Sequence, residues 1–213
     1  MHWPQFYFLL RGLGWTLALS GIGFTLGGAA GLLVALARTA KSRVLQRISA
    51  AYISVFQGTP LLMQLFVIYY GLALVGLKLD AWAAVAIGFT LYASAFLGEI
   101  WRGSIQAVPS GQTEAARSLG LRYTATMRKV ILPQALRISL PATVGFLVQL
   151  LKGTSLAAIV GFTELTRTGS IIANQIFEPL MVFAIVGALY VAVCWPLSLY
   201  GAALERRLAL SVR

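Results

Sequence analysis

The chemistry open to this 213-residue chain is narrowed first by what it lacks. It has one cysteine, Cys194, so there is no disulfide framework and no set of thiolate metal ligands. Set inside an apolar run, Cys194 reads as inert packing. The single histidine, His2, lies at the terminus, and the apolar runs hold neither paired acids nor a metal-ligand cluster, which argues against an enzyme. No G-x-x-x-x-G-K-[ST] occurs, so the chain has no phosphate-binding loop of its own. Charge is scarce as well. Only 11% of residues are charged against 59% hydrophobic, and the mean hydropathy is +0.82. That leaves too little polar surface to cover a soluble domain, so the chain reads as an integral membrane protein.

The charge that is present is strongly one-sided, with 17 basic against 6 acidic residues and a net charge of +11. Nucleic-acid binding would need those cations clustered on a water-facing surface. Here they sit in the gaps between apolar runs, where the positive-inside rule accounts for them. Five runs are long enough to cross a hydrocarbon core of about 20 apolar residues: 13–36, 53–77, 82–103, 140–160 and 180–204. The first gap holds Arg38, Lys41, Arg43 and Arg47, and the second balances Lys78 with Asp80. The third holds Arg117, Arg122, Arg128, Lys129 and Arg137, the fourth Glu164, Arg167 and Glu178, and the last tail Arg206, Arg207 and Arg213. Basic excess alternates if the N-terminus is outside. The expected fold is therefore an all-α membrane protein, one transmembrane domain over residues 1–213 with five transmembrane helices and a cytoplasmic C-terminus. The first run reads as a retained span rather than a cleaved signal, because only Arg11 precedes it and it continues to Ala37.

Within the spans a few residues stand out. Gly23, Gly27 and Gly31 recur every four residues in the first span, a spacing that lets another helix approach closely. Pro60 should kink or break the start of the second. Gln57 and Gln64, seven apart, should share a face, as interhelical glue or as lining of a polar path. Glu99 and Arg102 sit at ion-pair spacing near the end of the third, and Glu99 is equally open to a solute-contact reading. In the fourth, Gln149, Lys152, Thr154 and Ser155 surround Gly153, where the helix should weaken and expose backbone groups. Lys152, deep in the span, is the leading path candidate, with pairing to an acid on a neighbouring helix as the alternative. Residues 161–179 read as a short helix and turn at the outer face, either receiving a partner or packing the bundle ends. Pro196 should kink the fifth span.

The one long polar interval, 109–133, reads PSGQTEAARSLGLRYTATMRKVILP. Glu114-Ala115-Ala116, then Gly120, then Val130-Ile131-Leu132-Pro133 resembles the EAA loop of bacterial ABC importer membrane subunits, with valine where isoleucine is commoner. Gly58-Thr59-Pro60-Leu61-Leu62, the run from Ile105 to Gln112, the run from Leu132 to Arg137 and Thr154-Ser155-Leu156 look like the polar amino acid branch. The resemblance extends over nearly the whole chain.

That resemblance implies a cytoplasmic coupling helix between helices 3 and 4 that docks into a groove on an ATPase subunit. Glu114, Ala115, Ala116, Arg117, Gly120 and Arg122 would form the contact: small side chains for close approach, Glu114 toward the positive helix end, and arginines for acidic partners. It also implies a multi-pass subunit of the bacterial inner membrane that imports an amino acid. Its expected partners are a second permease subunit, identical or related, an ATP-binding subunit dimer and an extracytoplasmic solute-binding protein. No cofactor is expected on this chain, since ATP and Mg would belong to the ATPase, and no nucleic acid is expected as a partner. Many members carry an aspartate where this chain has Gly153, so a strongly cationic solute is not expected, and Lys152 with Thr154 and Ser155 would favour a carboxylate. A stand-alone secondary transporter or channel is the competing class, although the inverted repeats common there are not found.

Overall fold

The computed structural model describes residues 3–210, with side chains described to Leu208; His2 and Arg213 lie outside the described residues. Helix follows helix throughout. Helix α1 covers Trp3–Thr39, α2 Arg43–Gly58, α3 Leu61–Leu74, α4 Ala81–Gln106 and α5 Ser110–Ser118. Helix α6 runs over Tyr123–Val160, α7 over Leu165–Ile176 and α8 over Pro179–Leu210. Four of these, α1, α4, α6 and α8, are each long and apolar enough to cross a membrane.

The second expected span is not one helix. α2 and α3 meet at 104°, so the membrane count is four, or five if the bent pair is one span. The cause is local. Pro60 has no amide hydrogen to give the Phe56 carbonyl four residues back, and its extended backbone caps the start of α3 instead. The Gln64 side chain supplies the missing donor, with Nε2 2.8 Å from the Phe56 carbonyl oxygen. The bend also separates Gln57 from Gln64, so the shared face expected from their spacing does not form. Gln64 is 8% exposed inside the break, while Gln57 is exposed on α2.

α1 lies along α4 on the small-residue seam. A Cβ added at Gly27 would stand 2.5 Å from the Ala93 Cβ and 3.0 Å from the Thr90 carbonyl oxygen, so only glycine permits this separation. Around the seam, Leu19, Leu65, Val85, Phe89, Phe146 and Leu150 form the main core. Phe96 stacks on Phe146 with ring centroids 5.4 Å apart. The outward sides of α1 and α8 expose Leu26, Leu33, Val191 and Leu199, as expected of helices that face lipid.

A second core joins α1, α7 and α8 through Leu9, Leu165, Ile172, Val182 and Val186. At its centre is Glu164, fully buried, which caps α7. Its Oε1 accepts from the Arg167 amide at 2.8 Å, and its Oε2 accepts from the Thr166 amide at 2.9 Å and the Tyr190 hydroxyl at 3.0 Å. Thr16 of α1 accepts from the Leu165 amide at 3.2 Å, so one capping site fastens three helices. Residues 161–179 thus pack the bundle end.

Candidate functional site

Two polar regions interrupt the apolar bundle: the elbow from α5 to the start of α6, and the stretch of α6 around Lys152.

α5 starts after Pro109 and ends in a tight reversal. Gly120 has φ +75°, its amide donates to the Arg117 carbonyl at 2.9 Å, and the Leu121 amide donates to the Ala116 carbonyl at 3.1 Å. These two bonds form a Schellman stop. Gly120 is therefore required by backbone geometry, and a docking groove is not needed to explain it. Glu114 sits in the middle of α5 rather than at its start, which corrects the helix-dipole expectation. Ala116 is 4% exposed and turned inward, so it is not presented to a partner. Glu114, Ala115, Arg117 and Arg122 are exposed. So is Leu119, at 82%, which the sequence reading passed over. An apolar residue immediately before a helix-terminating glycine was the available signal. The elbow is held to the first basic gap by Lys41, whose Nζ lies 5.6 Å from the Tyr123 ring centroid.

Around Lys152 the helix changes geometry. α-Helical hydrogen bonding stops at Gly153, and Thr154–Val160 continues as a 3₁₀ turn that ends at Gly161 in the left-handed region. A Cβ at Gly153 would come 3.3 Å from Leu61 Cδ2 and 3.8 Å from Phe89 Cε1, so an aspartate there would crowd the start of α3. Lys152 is exposed, and its ammonium group makes no hydrogen bond or ion pair among the described residues. It lines an open cleft of about 820 Å³ between α6 and α8, with Pro141, Gly145, Val148, Gly201 and Glu205 among its walls. The acid is not its partner. The helices are antiparallel and Gly201 packs on Val144, which places Glu205 toward the opposite end of the cleft.

The other path candidates divide. Gln149 is exposed and donates to the Tyr92 hydroxyl at 3.0 Å. Ser155 is half-buried, with its hydroxyl 2.8 Å from the Lys152 carbonyl oxygen. Thr154 is fully buried and donates to the Leu151 carbonyl at 2.7 Å, so it faces the core and cannot line a path in this conformation. Gln64 is likewise turned inward and serves the helix break. Glu99 is paired within its own helix, its two oxygens 2.8 Å from Arg102 Nε and 2.5 Å from Arg102 Nη2. Arg102 also bonds Gln106. Glu99 and Gln57 share a crevice of about 300 Å³. No group of three or more histidine, cysteine or acidic residues that could hold a metal occurs among the described residues.

The chain is thus a multi-span helical membrane protein with polar groups along one side of α6 and a separate polar elbow. The comparisons give the family. A model described as binding-protein-dependent transport system inner membrane component matches residues 27–210, and the chain belongs to that family. It is 37% identical over 205 residues to the probable amino-acid ABC transporter permease protein YckA of Bacillus subtilis (strain 168), covering 96% of this chain and 91% of that one. It is 38% identical over 207 residues to the L-cystine transport system permease protein TcyB of the same organism, covering 97% and 87%. A solved structure described as an amino acid ABC transporter with histidines superposes with a TM-score of 0.89 at 36% identity, covering 94% of each chain. This chain is thus a multi-pass inner-membrane permease subunit of an ABC importer, and ATP hydrolysis belongs to a separate subunit.

Proposed function

We propose that the chain forms one half of the translocation path of an amino acid importer and that the face of α6 bearing Gln149, Lys152 and Ser155 meets the solute. The observation that carries this reading is Lys152. It is a cation in mid-span of an apolar helix, exposed and unpaired among the described residues, at the point where the helix turns 3₁₀. Such a charge is stable in a membrane only when it faces water, a partner or a ligand. A second permease subunit, identical or related, closes the open α6–α8 cleft, and an extracytoplasmic solute-binding protein delivers the amino acid. The absence of an acid at position 153 and the presence of Lys152 favour recognition of the solute's carboxylate.

On the same reading the N-terminus lies outside and α5 is the cytoplasmic coupling helix, docking Glu114, Ala115, Arg117, Leu119 and Arg122 on an ATP-binding subunit dimer. ATP and Mg belong to that dimer, and this chain transmits its closure through the elbow. The charge alternation supports that orientation. Reconstitution of the permease with its ATPase and binding protein in vesicles, followed by uptake of labelled amino acids, tests the proposal. Uptake that requires ATP and all components is expected. Uptake that persists without the ATPase would make the chain a secondary transporter and overturn it.

A further inference from the structure

A second cleft, on the opposite side of α6 from Lys152, lies between α1, α4 and α6. It has a volume of about 510 Å³, and its walls include Leu32, Trp101, Ile105, Leu132 and Leu136. Ala135 and Ser139, both nearly fully buried, form its floor. Its single charged wall residue is Arg128, which is exposed and has no ion pair or hydrogen bond among the described residues. No acidic side chain lines it among the described residues.

We propose that this cleft binds an anionic phospholipid, one acyl chain lying against Trp101, Leu132 and Leu136 and the phosphate resting on Arg128. The argument is one of complementarity along the length of the cleft. The body is apolar and belongs to membrane-crossing helices, so its occupant must be apolar there. One end carries an unpaired guanidinium, whose planar fork binds phosphate through two parallel hydrogen bonds. A zwitterionic lipid satisfies the apolar body equally well, but its ammonium group opposes Arg128. Basic pockets between membrane helices select anionic headgroups on this ground. The inference needs only the membrane placement of these helices and is independent of the solute, of the ATPase contact and of which end is cytoplasmic.

Trp101 in the wall provides the test. The permease–ATPase complex, with Trp3, Trp15, Trp82 and Trp195 replaced by phenylalanine, is placed in phosphatidylcholine nanodiscs containing a small mole fraction of lipid brominated on the acyl chain. Trp101 fluorescence is expected to be quenched by brominated phosphatidylglycerol with about a fivefold apparent preference over brominated phosphatidylcholine, the effect of one cation near the membrane surface. Arg128→Gln should remove the preference and leave the weaker quenching by either lipid. Leu136→Phe, on the exposed rim, should lower quenching by both lipids. A control complex retaining only Trp195, exposed on α8, should show no headgroup preference. Equal quenching of Trp101 by the two lipids, or a preference that survives Arg128→Gln, would overturn the proposal. Quenching of Trp195 but not of Trp101 would mean that protein covers the cleft and would also overturn it.

Discussion

Gln64 holds Thr59 by two atoms at once: its amide nitrogen lies 3.1 Å from the Thr59 carbonyl oxygen and 2.9 Å from the Thr59 hydroxyl. The hydroxyl in turn donates to the Val55 carbonyl at 2.7 Å. With the Phe56 bond, one side-chain amide replaces the donor that Pro60 lacks and holds a 104° corner together. Gln64→Leu should leave the Phe56 and Thr59 carbonyls without this donor, at about 1 kcal/mol each, partly offset by removing the buried Gln64 Oε1, which has no partner among the described residues. Gln64→Glu should cost more at neutral pH, because it sets acceptors against acceptors. Thermal unfolding of the purified complex should rank wild type above Leu above Glu, and three equal midpoints would refute the role.

Glu164 joins α1, α7 and α8 through four hydrogen bonds, accepted from the Thr16 and Tyr190 hydroxyls and the Thr166 and Arg167 amides, with no ion-pair partner among the described residues. Glu164→Gln keeps one acceptor oxygen and turns an NH₂ toward donors, while Glu164→Ala leaves the α7 cap empty. Each should destabilise the complex, the alanine variant by about 1–3 kcal/mol or more. Tyr190→Phe removes one of the four donors and should cost about 1 kcal/mol. Unfolding midpoints in detergent check the order.

Gly27 and Gly21 give a matched pair on one helix. A Cβ at Gly27 collides with Ala93 and the Thr90 carbonyl, whereas one at Gly21 meets nothing within 4 Å. Gly27→Ala should cost about 1–3 kcal/mol through overpacking and lower membrane yield, while Gly21→Ala should be neutral or mildly stabilising. Quantified membrane-fraction levels separate the two.

At the elbow, Leu119→Glu and Gly120→Ala should fail in different ways. Leu119 is solvent-facing, so its substitution should leave stability unchanged yet abolish co-purification of the ATPase, if α5 is the docking element. Gly120→Ala should strain the left-handed stop by about 1 kcal/mol and weaken docking only in part. Retained co-purification by Leu119→Glu together with Glu114→Lys would place the contact elsewhere.

Lys152→Ala should reduce uptake at normal membrane levels, while Lys152→Arg should retain a measurable part of it. Because the cation lies outside the core, neither change should alter stability by more than about 0.5 kcal/mol. Full uptake by Lys152→Ala would remove it from the path.

Much of this architecture was written in local pattern. The apolar runs gave the straight helices, and the four-residue glycine spacing gave the α1–α4 seam, because both depend on neighbours along one helix. Pro60 announced a break, but the angle depends on Gln64 folding back, and that bend undid the expectation that Gln57 and Gln64 share a face. Glu164 looked like an outer-loop acid. Its burial rests on Thr16, 148 residues away, and Tyr190, 26 residues away, which no local pattern reveals. Thr154 and Ser155 are adjacent and chemically alike, yet the threonine turns inward and the serine only partly, a difference their side-chain chemistry does not announce. At Gly120 the left-handed stop supplies a backbone reason that the sequence pattern does not distinguish from an exposed small residue.

The elbow and Lys152 belong to one continuous helix. From Tyr123 to Lys152 the axis of α6 runs roughly 44 Å at about 1.5 Å per residue, so a tilt of about 5° at one end sweeps the other by about 4 Å. That is more than the width of a hydrogen bond. A small rotation at the elbow therefore carries through to Lys152, and the π-helical turn at Met127–Ile131 and Pro141 are the places between them where the rod can bend.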